Sequence, residues 1–186
     1  MLCASEGLTF GLRPNALGLR SSLYFIRSRS RVKSRYTESM KIVLQKVLSA
    51  SVAVENRPVS SIGHGYLLLT GIAADDTDEN VESMAKKIAA LRLFPGEDGK
   101  INDRTILEVG GSALVVSQFT LFGDVEKSNR PDYTGAGPRD LAERLYLRFA
   151  DLLKRQGIED VQTGRFGASM AVQSTNDGPV TLLIGR

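Results

Sequence analysis

Cysteine and histidine are almost missing from this chain: Cys3 is the only cysteine and His64 the only histidine in 186 residues. A Cys/His zinc cluster, a Cys-His pair or a Ser-His-Asp triad therefore cannot be assembled within one chain in the usual way. No disulfide scaffold is needed at this length either, because a chain of this size can bury most of its apolar side chains in one domain. Long apolar runs are absent too, and none approaches a membrane span. A surplus of positive charge is lacking where it would matter. The formal net charge is +3, but residues 1–39 hold seven Arg/Lys against two acidic residues, leaving seventeen basic against nineteen acidic in residues 40–186. The body of the protein is near neutral, so a broad nucleic-acid-binding face is not expected, and any phosphate contact should rest on a few placed side chains.

What is present divides at Met40. Residues 1–39, centred on "RSSLYFIRSRSRVKSRY", are rich in Arg and Ser and poor in acids. That composition fits an organellar transit peptide, and equally a disordered tail or an upstream start with Met40 as the alternative start. The location that follows is cytoplasmic, or mitochondrion or chloroplast if the leader is a transit peptide.

Residues 40–186 form the folded domain. "KIVLQKVLSASVAVE" has the β-branched content and partial alternation of a strand pair, and "GHGYLLLTGIA" reads as a buried strand. In "DTDENVESMAKKIAALRLF" the acids crowd the start, and Val81, Met84, Ala85, Ile88 and Leu91 recur at helical spacing. "FPGEDGK" is a turn. "SALVVSQFTLF" is a second buried strand leading into "GDVEKSNRPDYTGAG", a loop long enough to be functional. Pro138 suits a first helical turn, and Leu141, Leu145, Phe149 and Leu152 make the apolar stripe of a second helix ending near Gly157. Strands around "DVQTG" and "SMAVQST" precede Gly178-Pro179, which interrupts the β-formers before "VTLLIG" closes the chain. Many strands and two helices, without regular βαβ alternation, predict an α+β domain with sheet packed on helices. The glycines of "IGHGY" and "GAGPRD" lack nucleotide-loop spacing and read as turns, with His64 a turn residue before a strand.

Four runs carry a resemblance: "SQFTL" at 117–121, "RPDYTGA" at 130–136, "TGRFGASM" at 163–170 and "NDGPVT" at 176–181. In this order and spacing they resemble the D-aminoacyl-tRNA deacylases, and the likeness covers essentially all of residues 40–186. The resemblance implies a homodimer of compact α+β subunits that hydrolyses the ester joining a D-amino acid, or glycine, to the 3′-terminal ribose of tRNA. It implies that the end of the Ser117-to-Leu121 segment forms the pocket floor. It also implies that Gly178-Pro179, in the cis form, enters the pocket of the neighbouring subunit and selects chirality there.

An aminoacyl ester is already activated, so cleaving it calls for less acid-base power than peptide hydrolysis and more control over which ester is admitted. Ser117 and Thr120 carry hydroxyls without an evident base, and a side-chain nucleophile needs one. The expected machinery is instead the backbone amides around Phe119 and Thr120 as oxyanion donors, with the substrate's ribose 2′-hydroxyl positioning or activating water. Taken from pattern alone, Ser117 and Thr120 are ordinary strand-end residues, and Phe119 in an alternating segment is a core aromatic. The resemblance makes Phe119 a stacking platform for the terminal adenine and Gln118 its hydrogen-bonding partner.

Lys127 and Arg130 read either as solvated loop charges or as contacts to acceptor-stem phosphates. Arg165, Phe166 and Met170 fall in the matched "TGRFGASM", and Asn176 and Thr181 flank the Gly-Pro pair; the resemblance makes these five lining or supporting residues. The chain departs from the family at Lys46. The family usually reads Gln-Arg-Val in its first strand, the arginine helping to hold the Gly-Pro unit, where this chain has "QKV". Lysine keeps the charge and loses the planar, multiply donating head, which implies a looser hold. The expected partners are thus tRNA and a second copy of the chain, without membrane or DNA, and neither a metal nor another cofactor is expected. Editing of an L-aminoacyl-tRNA and a non-catalytic RNA-end-binding domain are the competing readings.

Overall fold

The computed structural model describes residues 39–126 and 128–185. The transit-peptide reading of the leader and the candidate Lys127 lie outside the described residues.

The expected α+β architecture is what forms. Among the described residues, eight strands and two α-helices follow in the order β1 (Lys41–Val54), β2 (Arg57–Ile62), β3 (Gly65–Gly71), α1 (Asp78–Ala90), β4 (Arg92–Phe94), β5 (Arg104–Thr105), β6 (Ser112–Ser117), α2 (Arg139–Arg155), β7 (Val161–Thr163) and β8 (Ala171–Gly185). The main sheet runs β2-β1-β3-β6-β7, with β8 on the other side of β1. β3, β6 and β7 are mutually parallel, whereas β1 is antiparallel to β2, β3 and β8.

Strand alternation sends side chains to two cores, one on each face. Ile42 and Leu44 of β1, Tyr66 and Leu68 of β3, and Ala113 and Val115 of β6 pack with the helices. Val47, Ala50 and Val52, farther along β1, join Leu67, Leu114 and Val116 in the second cluster. Both faces of β3 and β6 are buried, which is why those strands read as unbroken apolar runs.

The helices follow their apolar stripes. Thr77 caps α1, its hydroxyl accepting from the Asn80 amide at 3.4 Å, and Val81, Met84, Ala85 and Ile88 are buried as the spacing predicts. Each such large side chain contributes about 1.5–3 kcal/mol by leaving water. In α2, Leu145, Phe149 and Leu152 are buried, with Tyr146, Ala150 and Leu153 beside them.

Four local readings change. The "KIVL…AVE" segment is one strand of fourteen residues rather than a pair, because β2, β3 and β8 all pair with it. "FPGEDGK" is flanked by the small β4-β5 ladder. The strand ending in "SQFTLF" stops at Ser117 and turns into a 3-10 segment, Phe119–Phe122. Gly178-Pro179 does not break its strand: β8 pairs with β1 on both sides of it, and the chain absorbs the pair as a bulge. Gln45 lies opposite Thr181 and Val47 opposite Asn176, so residues 177–180 stand opposite the single residue Lys46.

Candidate active site

A cavity of about 510 Å³ opens where the parallel strands end, the edge at which such sheets commonly receive ligands. β3 supplies Thr70, β6 supplies Val116 and Ser117, and the chain leaving β6 supplies Gln118 and Phe119. Across from them lie Gly137, Arg139 and Ala142 at the start of α2, and the Phe166–Met170 turn before β8.

The wall at Gln118 is held from several directions. The Gln118 amide donates to the Thr70 carbonyl at 2.8 Å, carrying the β3-β6 ladder one residue past the strand. The 3-10 turn then closes through Leu121 N–H to the Gln118 carbonyl and Gly123 N–H to the Thr120 carbonyl. Lys41 donates to the Leu121 carbonyl at 3.3 Å and lies over the Phe122 ring. Gly71 makes room behind this turn: a Cβ there would stand 2.9 Å from Phe122 and 3.0 Å from the Gln118 carbonyl oxygen. At the open start of the 3-10 segment, the amides of Phe119 and Thr120 find no acceptor among the described residues, as expected for the first donors of a helical turn.

The opposite wall depends on Tyr146. Its hydroxyl donates to the Val115 carbonyl at 2.8 Å and also lies 3.3 Å from the Gly164 carbonyl, and its ring meets Phe166 at 5.7 Å. One side chain from α2 thereby ties the end of β6 to the turn carrying Phe166. Burial pushes the Tyr146 phenol up to about 12, only partly offset by its hydrogen bonds. Tyr66 is pushed up further, by burial alone.

Of the residues singled out in sequence, Ser117, Gln118, Phe119, Phe166 and Met170 come together around the cavity. Phe119 is 56% exposed at the rim and meets Tyr133 edge-on at 5.1 Å. Thr120 does not line the cavity; its hydroxyl accepts from the Gln118 side-chain amide. Arg165 and Arg130 are exposed and outside the lining. Lys46, Asn176, Gly178, Pro179 and Thr181 belong instead to the bulge of β8 and its partner strand.

In that bulge the Gly178-Pro179 bond is cis and both residues are exposed. Lys46, with its side chain only 9% exposed, reaches Asp177 at 3.0 Å, and His64 Nε2 lies 3.9 Å from the same carboxylate oxygen. Phe94 stands behind both side chains, edge-on to His64 and 5.8 Å from the Lys46 ammonium. His64 is therefore more than a turn residue: it faces the residue that precedes Gly178.

Sequence reasoning missed Thr70, Tyr146 and Arg139. Tyr146 stands in the apolar stripe of α2, where a polar tip on a buried residue was the available signal. Arg139 was hidden in a run read as a turn, and only the fold brings it to the cavity.

In this α+β fold, two unpaired backbone donors thus stand beside a mostly apolar cavity whose hydroxyls, among the described residues, have no basic partner. Residues 43–185 match the family described as D-Tyr-tRNA(Tyr) deacylase, and the chain belongs to that family. It is 48% identical over 145 residues to a D-aminoacyl-tRNA deacylase of Desulfatibacillum aliphaticivorans, covering 78% of this chain and 98% of that one. With a D-aminoacyl-tRNA deacylase of Exiguobacterium sibiricum it shares 50% identity over 147 residues, covering 79% of this chain and all of that one. Among solved structures, the c-Myc DNA unwinding element binding protein is similar at a TM-score of 0.74 and 40% identity, over 78% of this chain and 98% of its own.

Proposed function

We propose that this protein hydrolyses the ester between a D-amino acid, or glycine, and the 3′-terminal ribose of tRNA, removing wrongly charged amino acids before they reach translation. Water adds to the ester carbonyl carbon, the bond to the ribose 3′-oxygen breaks, and that oxygen takes the proton, releasing free amino acid and tRNA. The Phe119 and Thr120 amides receive the charge developing on the carbonyl oxygen. The substrate's 2′-hydroxyl positions the water. Phe119 offers its exposed face to the terminal adenine and Gln118 hydrogen-bonds beside it. Arg130, exposed beyond the cavity lining, is the candidate contact to an acceptor-stem phosphate, and Lys127 is a second candidate from its place in the sequence alone. The observation that carries this reading is the pair of amides without an acceptor, among the described residues, beside a cavity whose Ser117 and Thr70 hydroxyls meet no basic side chain there.

The working unit in this proposal is a homodimer. Gly178 and Pro179 are exposed and do not line the cavity of their own chain, which supports their reaching a second copy's cavity, with Asn176, Thr181 and Lys46 supporting the bulge. Leu183 at 69% exposure and Leu48 at 53% leave apolar surface on β8 and β1 for such a contact. Among the described residues no helix is long and apolar enough to cross a membrane. Action in the cytoplasm is the proposed setting, or in an organelle if residues 1–39 direct import.

Release of amino acid from D-tyrosyl-tRNA and L-tyrosyl-tRNA tests the proposal. Release from the D-ester alone is expected; preference for the L-ester points to L-aminoacyl editing, and release from neither leaves a binding module. A tRNA ending in 2′-deoxyadenosine should be a poor substrate.

A further inference from the structure

The arginines of α2 are not equivalent. Arg144 meets Asp78 at 2.8 Å, Arg148 lies 3.3 Å from Asp151, and Arg155 meets Asp151 at 2.9 Å. Arg139, the first residue of the same helix, has no carboxylate within salt-bridge distance among the described residues, although Asp140 and Glu143 are close in sequence. A cation in the first helical turn is opposed by the helix dipole, so its position is not explained by helix stability. Its side chain is nevertheless placed. The guanidinium lies 5.9 Å from the Phe166 ring centroid, and a Cβ on Gly167 would stand 2.7 Å from Nη2. Arg139, Phe166 and Gly167 all line the cavity, and Arg139 is exposed at its rim.

We propose that Arg139 is a substrate-binding residue that receives the phosphodiester on the 5′ side of the terminal nucleotide. This rests on the reading of the cavity as the site for an aminoacylated tRNA end. In that substrate the α-amino group is cationic and the carboxyl is esterified, so the nearest anion to the reacting ester is that phosphate. A guanidinium over the Phe166 ring, paired to no carboxylate among the described residues, keeps its donors free for two parallel bonds to phosphate oxygens. Gly167 clears the space in which the head lies, and the aromatic face holds it there without neutralising it.

Turnover of D-tyrosyl-tRNA and of D-tyrosyl-adenosine, which lacks the phosphate, separates this role from a structural one. Arg139→Ala should raise KM for the tRNA ester about tenfold, leave kcat within about a factor of two, and affect D-tyrosyl-adenosine far less than the tRNA ester. Arg139→Lys should recover part of the loss, and the salt slope of tRNA binding should fall by about 0.7 in Arg139→Ala. An equal loss on both esters, or no loss on tRNA, overturns the assignment. Wild-type inactivity on both esters would instead sink the deacylase reading. Arg139 is still tested then by binding: wild type should prefer adenosine 5′-monophosphate to adenosine, and Arg139→Ala should not. Equal wild-type affinity for the two ligands overturns the assignment.

Discussion

The cavity wall at Ser117–Phe122, where a strand ends, and the bulge at Asp177–Val180, where one is interrupted without ending, both depart from regular β pairing, but they are held in different ways. The wall is fixed by backbone bonds to β3, by Lys41 and by the packing of Gly71 behind it. The bulge is exposed and rests mainly on one ion pair, Lys46 with Asp177, with His64 at its side. The difference suits the two tasks proposed for them. Donors that stabilise a developing charge must not move, because a displacement of about 1 Å can cost on the order of a hundredfold in rate. An element that screens a substrate in a second copy needs surface exposure, so it cannot be locked into its own core.

The largest expected effect lies on the wall. Gly71→Ala should push the 3-10 turn away from β3 and lower the single-turnover rate on D-tyrosyl-tRNA about a hundredfold, with a stability loss of about 1–3 kcal/mol. An unchanged rate in a folded variant would show that the wall tolerates movement and would erase the contrast. Gly178→Ala, on the bulge, should behave differently. Gly178 has φ +119°, and an added Cβ would lie 2.8 Å from the Val180 nitrogen. A side chain there is strained, at about 1–2 kcal/mol. The ratio of D- to L-tyrosyl-tRNA hydrolysis should fall about tenfold while the D-ester rate changes less. A fall in both rates with the ratio preserved would assign the bulge to catalysis.

Removing the anchor should be milder. Asp177→Asn leaves the buried Lys46 ammonium without its carboxylate, and the urea midpoint should drop by the equivalent of about 1–2 kcal/mol, reduced because Asp177 is partly exposed. Lys46→Met added to it should recover much of that loss, since no buried charge is then left alone.

Alkaline titration separates wall from bulge in another way. The Tyr146 phenol is raised in the folded state to about 12, whereas the unfolded chain ionises near its ordinary value of about 10. The folded state thus holds the proton longer, so the contribution is complete below about pH 10 and is lost as pH rises towards about 12. Tyr146→Phe should make that part of the stability curve less steep, the raised Tyr66 phenol keeping the rest, and a curve of unchanged slope would mean that Tyr146 does not carry its share. The smallest effect belongs to Thr120→Ala. It removes an acceptor for Gln118, and kcat should stay within about a factor of three. Complete loss of turnover with folding intact would restore Thr120 as the nucleophile.

Much of this was legible from residue order. Apolar periodicity found both helices and the buried strands, because burial imposes a period on whatever segment it covers. The four matched runs pointed to the wall and to Gly178-Pro179. Two features did not follow from local pattern. Arg139 looked like part of a turn because its relation to Phe166 is made by elements distant in sequence. Gly178-Pro179 looked like a strand break because a proline cannot continue a ladder by itself, whereas β1 pairs on either side and lets four residues stand opposite one.

By itself, then, the sequence determined the α+β class, the scarcity of histidine and cysteine, and the segments that bear on the site. Those properties depend on composition and on short-range period. The tertiary structure decided that Thr120 stays out of the cavity lining while Arg139 joins it, that Tyr146 ties the two walls, and that the Gly-Pro bulge leans on Lys46 and does not line its own chain's cavity. These depend on strand register and on the meeting of α2 with the turn before β8, contacts between residues far apart in the chain that no local pattern encodes.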